Sequence, residues 1–136
     1  MIKHTNELLA MRDNELISAY KRVLKDEFNK GNKGNKINRK HVIERTIHES
    51  KPHFHVSFEH AYKVISTIRN TDGILFRKSL RQEMWQELLS LVEAEMRERP
   101  YLNMGHALSR VLAEKHASRF YLSTEYCYKK LYKIKN

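Results

Sequence analysis

The residues of this chain whose spacing suggests chemistry are its lysines and arginines. Lys30, Lys33 and Lys36 recur at every third position of Asn29-Lys-Gly-Asn-Lys-Gly-Asn-Lys36, and Arg39 and Lys40 prolong the run. Glycine and asparagine accept positive φ and resist helix, so a mobile loop is expected there. A second basic group closes the chain with Lys129, Lys130, Lys133 and Lys135, preceded by Arg119, while Lys63 occupies an earlier position of the same kind as Lys129. Cationic side chains in such numbers can neutralise phosphates and release their counterions, the electrostatic basis of nucleic-acid binding. The formal charge is +10, with 14 basic and 8 acidic residues in 1–70 and 12 and 8 in 71–136. Both halves therefore favour polyanionic partners. The alternative reading keeps these charges as solvated helix faces and, for the last lysines, as favourable company for a helix C-terminus.

Eight histidines invite a metal hypothesis. His48, His53, His55 and His60 match no zinc spacing and have no cysteine partners, so no metal site is expected. His41 and His106 each stand three residues after an asparagine, which suits a structural role in a first helical turn. No nucleophile elbow, phosphate loop, dinucleotide fingerprint or His-Glu-x-x-His motif occurs, and no serine has an evident base partner. A non-enzymatic chain without cofactors is the expectation. Cys127 is the sole cysteine, which excludes an intramolecular disulfide and suits a small buried thiol.

These side chains must be positioned by a duplicated frame. Phe54-His-Val-Ser57 returns as Phe120-Tyr-Leu-Ser123, and Ser57, Glu59, Tyr62, Lys63, Ile65 and Ile68 reappear 66 residues later as Ser123, Glu125, Tyr128, Lys129, Leu131 and Ile134. Upstream, Ile37, Asn38, His41, Arg45, Ile47 and Glu49 match Leu102, Asn103, His106, Arg110, Leu112 and Glu114 at a displacement of 65. Glu15, Ile17, Tyr20, Leu24 and Phe28 can be laid on Glu83, Trp85, Leu88, Val92 and Met96 at 68. A fixed period of this kind marks a repeated supersecondary unit.

Each repeat reads as three helices. Ile17, Tyr20, Leu24 and Phe28 give the first an apolar stripe over Asn6–Phe28, with Leu16 and Val23 widening it. Asn38 caps the second, with Ile37 as a hydrophobic staple, and Pro52 ends it. After the short Phe-His-Val passage Ser57 caps the third, whose face is Phe58, Ala61, Tyr62, Ile65 and Ile68. Asn70-Thr-Asp-Gly73 is the expected linker. The second repeat opens with Ser79-Leu-Arg-Gln82, a capping box, and its remaining helices start at the caps Asn103 and Ser123. The recurring aromatics Phe54, Phe120, Tyr62 and Tyr128 are expected in the core, whereas Tyr121, Tyr126 and Tyr132 are free to stack on exposed bases.

The order helix, turn, capped helix over 38–69 and 103–135 resembles a helix-turn-helix, which implies a last helix placed in the major groove, although Glu59 and Glu125 stand where that helix would meet DNA. The Arg119-Phe-Tyr-Leu-Ser123 wording also resembles a group of short uncharacterised bacterial proteins carrying an Arg-Phe-Tyr-x-Ser motif, a resemblance that implies no site residues. The expected fold is all-α: a tandem duplication of a three-helix unit, 1–70 and 71–136, packed as one compact domain with a very short extended segment before the last helix of each unit. The expected function is nucleic-acid binding, DNA above all, through Lys33, Lys36, Arg39, Lys40, Lys63, Arg119, Lys129, Lys130 and Lys133. The alternative is a protein-interaction or structural adaptor whose remaining apolar faces a protein partner or a second copy covers. With no run of ~20 apolar residues and no apolar leader, a cytoplasmic location and no membrane partner are expected.

Overall fold

The computed structural model describes residues 5–30, 37–71 and 79–134. Among them the regular structure is entirely helical: α1 (Thr5–Asn29), α2 (Arg39–Glu49), α3 (Phe58–Asn70), α4 (Leu80–Glu98), α5 (Met104–Glu114) and α6 (Thr124–Leu131). No strand forms among the described residues, so the segments before α3 and α6 are irregular connections.

The helix starts are set by side-chain caps. Asn38 Oδ1 accepts from the His41 amide at 3.2 Å, Ser57 Oγ from His60 at 3.2 Å and Ser79 Oγ from Gln82 at 3.1 Å. Asn103 Oδ1 accepts from His106 at 2.8 Å and Ser123 Oγ from Tyr126 at 3.1 Å. Each bond satisfies an amide that the helix itself leaves without an acceptor, typically worth about 1 kcal/mol. His41 and His106 thus both give their backbone amides to an asparagine cap, and the His41 imidazole also lies 3.5 Å from Glu27.

The chain divides into two compact units. One is Leu9–Pro52 with Ser118–Asn136, holding nearly all of α1, together with α2 and α6. Its core joins Leu16, Tyr20 and Leu24 of α1 to Val42, Ile43 and Ile47 of α2 and Cys127 and Leu131 of α6. Phe120 is buried in the same cluster, and its amide donates to the Ile47 carbonyl at the end of α2 at 2.9 Å. Burial of side chains of this size contributes about 1.5–3 kcal/mol each. The Cys127 thiol is fully buried, and burial pushes its pKa up to about 11, which keeps it protonated and unreactive at neutral pH.

The other unit is His53–Ala117 with Met1–Leu8, and it contains α3, α4 and α5. Trp85, Leu88 and Val92 of α4 are buried, as are Ala107, Leu108 and Val111 of α5 and Ala61, Ile65 and Ile68 of α3. All three helices touch one another.

The units do not follow the halves 1–70 and 71–136: α6 packs with α1 and α2, and α3 with α4 and α5. The connections allow it. Seven residues without helix, residues 51–57, separate Ser50 from α3, enough to span up to about 23 Å when extended. The aromatic core also needs correction: Phe54 and Phe120 are buried as expected, but Tyr62 and Tyr128 are 41% and 48% exposed and Phe58 is exposed as well. On a helix, Tyr62 lies about 100° from Ala61 and Tyr128 about 100° from Cys127, at the margin of the buried stripe.

Candidate nucleic-acid interface

The geometry of a candidate site begins with an ion lock that fixes α2. Arg45 donates to Glu27 Oε2 at 2.7 Å and Asp26 Oδ2 at 3.0 Å, both on α1, and to the two carboxylate oxygens of Glu49 at 2.9 and 3.0 Å. The Glu49 and Asp26 hydrogen bonds hold the guanidinium firmly protonated, and Arg45 in turn draws the carboxyls of Asp26 and Glu49 below their ordinary values. The end of α1 is thereby tied to the middle of α2. Arg39 and Lys40 then stand exposed in the first turn of α2.

Helix α6 supplies the opposite side. An Arg39 Nη1 donor reaches the Tyr132 carbonyl at the end of α6, satisfying an oxygen the helix leaves open. Lys40 lines a groove with Thr124, Glu125, Tyr128 and Lys129. The rings of Tyr128 and Tyr132 are stacked 7° from parallel with centroids 6.1 Å apart, and both are nearly half exposed, 48% and 47%. Lys133 Nζ lies 5.8 Å from the Tyr132 ring centroid. Arg39, Lys40, Lys129 and Lys133 are thus gathered around a parallel pair of tyrosines. Of the four only Lys129 has a carboxylate within ion-pairing distance among the described residues, Glu125 at 3.3 Å. Both partners of that pair are well exposed, so the bond is worth about 0–1 kcal/mol and leaves the ammonium available.

The other cations anticipated from the sequence lie elsewhere. Lys130 points to α1, 3.5 Å from Asp13 and 5.9 Å from the Tyr126 ring. Arg119 donates to the carbonyls of Phe120 at 2.9 Å and Leu122 at 3.5 Å and covers the Tyr121 ring at 5.6 Å, bracing the segment before α6. Lys63 belongs to the other unit and lines a groove there with Phe58, Glu59, Tyr62 and Ser66. Lys33 and Lys36 fall outside the described residues.

Two tyrosines exchange their expected roles. Tyr126, expected free to stack on bases, is half-buried: its hydroxyl donates to Asp13 Oδ1 at 2.9 Å and accepts from Arg12 at 2.7 Å. Tyr128, expected in the core, forms the exposed pair instead. The signal that locates it is the four-residue spacing from Tyr132, which stacks the two side chains on one helix surface.

The histidines distribute differently from the cations. His53 and His116 approach to 4.4 Å between ring centroids, His55 lies 6.4 Å from His53, and His60 packs against Trp85 at 5.5 Å. No group of three or more histidine, cysteine or carboxylate side chains able to hold a metal occurs among the described residues. Nor is any helix among them long and apolar enough to cross a membrane.

No family model, curated protein sequence or solved structure matches this chain.

Proposed function

We propose that this protein binds nucleic acid, DNA above all, without catalysis, and that the face formed by the start of α2 and by α6 is its contact surface. The observation that carries the reading is the gathering of Arg39, Lys40, Lys129 and Lys133 around Tyr128 and Tyr132, with one weak carboxylate contact among the four cations. Cations with no carboxylate partner, or only a solvent-exposed one, lose little internal ion pairing when they meet phosphate.

The two units are read as copies of one three-helix design whose last helix is exchanged in sequence. Supporting this, the Arg45–Glu27 contact of 2.7 Å has a counterpart in Arg110–Glu95 at 2.8 Å, and the buried Ala61, Ile65 and Ile43 correspond to the buried Cys127, Leu131 and Leu108. A protein-interaction role is the second reading. It is favoured by the α3 face, where Phe58 and Tyr62 are exposed with ring centroids 5.9 Å apart.

A DNA and RNA titration at two salt concentrations tests the proposal. Four phosphate contacts give a slope of log affinity against log salt on the order of −3. Absence of binding to either polymer at low salt defeats it and leaves the interaction role.

A further inference from the structure

The α2–α6 face carries more than charge. Its centre is an aromatic surface, since Tyr128 and Tyr132 present nearly parallel rings, 7° apart in plane, with about half of each residue open to solvent. Exposed tyrosine is not needed for phosphate contact, and its desolvation is a gain for a partner that offers an apolar face, such as an unpaired base. The cations stand at the edges: Lys40 and Lys129 in the groove beside Tyr128, Lys133 5.8 Å from the Tyr132 ring and Arg39 at the Tyr132 carbonyl. An aromatic platform rimmed by cations suits bases that stack while their phosphates run alongside.

Resting on the nucleic-acid reading above, we infer that this face takes unpaired nucleotides, that is, single-stranded DNA, with bases stacked on Tyr128 and Tyr132 and phosphates held by Lys40, Lys129 and Lys133. Duplex DNA fits the same face poorly. Its bases are stacked within the helix and offer no free ring surface to the tyrosines. A major-groove reading would instead advance the first turn of α6, which holds Glu125, toward the base edges. Helix α6 has eight residues, about 12 Å, which leaves little length for a recognition helix.

Stacking by aromatic side chains is sequence-tolerant and contributes about 5- to 140-fold in affinity per base. The experiment measures binding of the full chain to an oligothymidine of about 16 nucleotides and to a hairpin duplex at matched low salt. The variants are Tyr128→Leu with Tyr132→Leu, Tyr128→Phe with Tyr132→Phe, and Lys40→Ala with Lys133→Ala. Thermal melts establish that each is folded. The expected result is tighter binding to the single strand, a loss of at least 5-fold in the leucine variant with its salt slope unchanged, and near-full retention in the phenylalanine variant. Equal or tighter binding to the duplex, or an unaltered leucine variant, overturns the inference. If in that case the lysine variant still weakens binding and lowers the salt slope, nucleic-acid binding itself stands. If neither form of DNA binds, the inference falls, and if RNA also fails to bind the nucleic-acid reading falls with it.

Discussion

The two units, each built of three helices, differ in surface chemistry. Each holds an arginine against the end of its longest helix, Arg45 of α2 on Glu27 in the α1–α2–α6 unit and Arg110 of α5 on Glu95 in the α3–α4–α5 unit. Each leaves a pair of aromatics open, Tyr128 with Tyr132 at the end of α6 and Phe58 with Tyr62 on α3. The differences are in what surrounds those pairs. Lys40 stands beside Tyr128, whereas Gly105, its counterpart 65 residues on, lies beside Phe58 and Tyr62. Around the α6 pair are Arg39, Lys129 and Lys133; around the α3 pair are Lys63, Ser66 and Thr67. The caps, the arginine locks and the buried stripes recur, as do Glu59 and Lys63 in Glu125 and Lys129, whereas Lys40 has Gly105 as its counterpart.

Breaking the frame has the largest expected effect. Phe120→Ala empties a buried site of the α1–α2–α6 unit and costs about 3–5 kcal/mol, and Phe54→Ala does the same in the other unit. Urea melts of the two variants check this, and a loss confined to one of them would mean that the Phe-x-x-Ser segments are not equivalent anchors. Tyr20 gives a second contrast. Its hydroxyl is buried without a hydrogen-bond partner among the described residues, where the other unit has Leu88. An unpaired buried hydroxyl costs about 1–3 kcal/mol, so Tyr20→Phe is expected to raise the unfolding free energy by roughly 1 kcal/mol, read in the same melts.

The arginine locks differ in their acid response. Arg45 lowers the carboxyls of Asp26 and Glu49, and Arg110 lowers that of Glu95. A carboxyl lowered in the folded state holds fewer protons there than in the unfolded chain. Its stabilisation is present above the ordinary carboxylate range near pH 4 and is lost as pH falls through the lowered value. Melting temperature is therefore expected to fall on acidification below about pH 4, and Glu49→Gln should flatten part of that fall. An identical pH profile in the variant would remove Glu49 from the lock. The smallest effect is a gain: Gly105→Lys, where an added Cβ meets Tyr62 and Phe58 at ordinary distances of 3.7 and 3.8 Å, is expected to increase the salt dependence of DNA binding by about one phosphate. Salt titration of that variant shows whether the α3 face can be converted into an α6-like one.

The local frame was legible because caps and breakers act over three or four residues. Asn38, Ser57, Ser79, Asn103 and Ser123 each bond the amide expected of them, and α2 stops before Pro52. The grouping of helices was not legible, because the stripes of α3 and α6 are near copies: Ala61 and Ile65 correspond to Cys127 and Leu131, so the pattern does not distinguish one slot from the other. Periodicity shows that a face is buried and not which partner buries it. The exposure of Tyr62 and Tyr128 escaped for a related reason, since both sit at the margin of the stripe, where packing of the neighbouring helix decides. Of the basic residues, Arg39, Lys40, Lys129 and Lys133 converge, while Arg119 binds backbone carbonyls and the exposed Lys130 faces Asp13, contacts that sequence spacing does not encode.

The central claim is that the cations of the α2–α6 face, and not Lys63, hold DNA phosphates. The direct measurement is the salt slope of oligothymidine binding for the unaltered chain, for Lys40→Ala with Lys133→Ala, and for Lys63→Ala. The slope should shrink by roughly 1.4 units in the double variant, at about 0.7 per lost single-strand contact, and stay unchanged in Lys63→Ala. Equal slopes in all three proteins, or a loss confined to Lys63→Ala, would contradict the assignment.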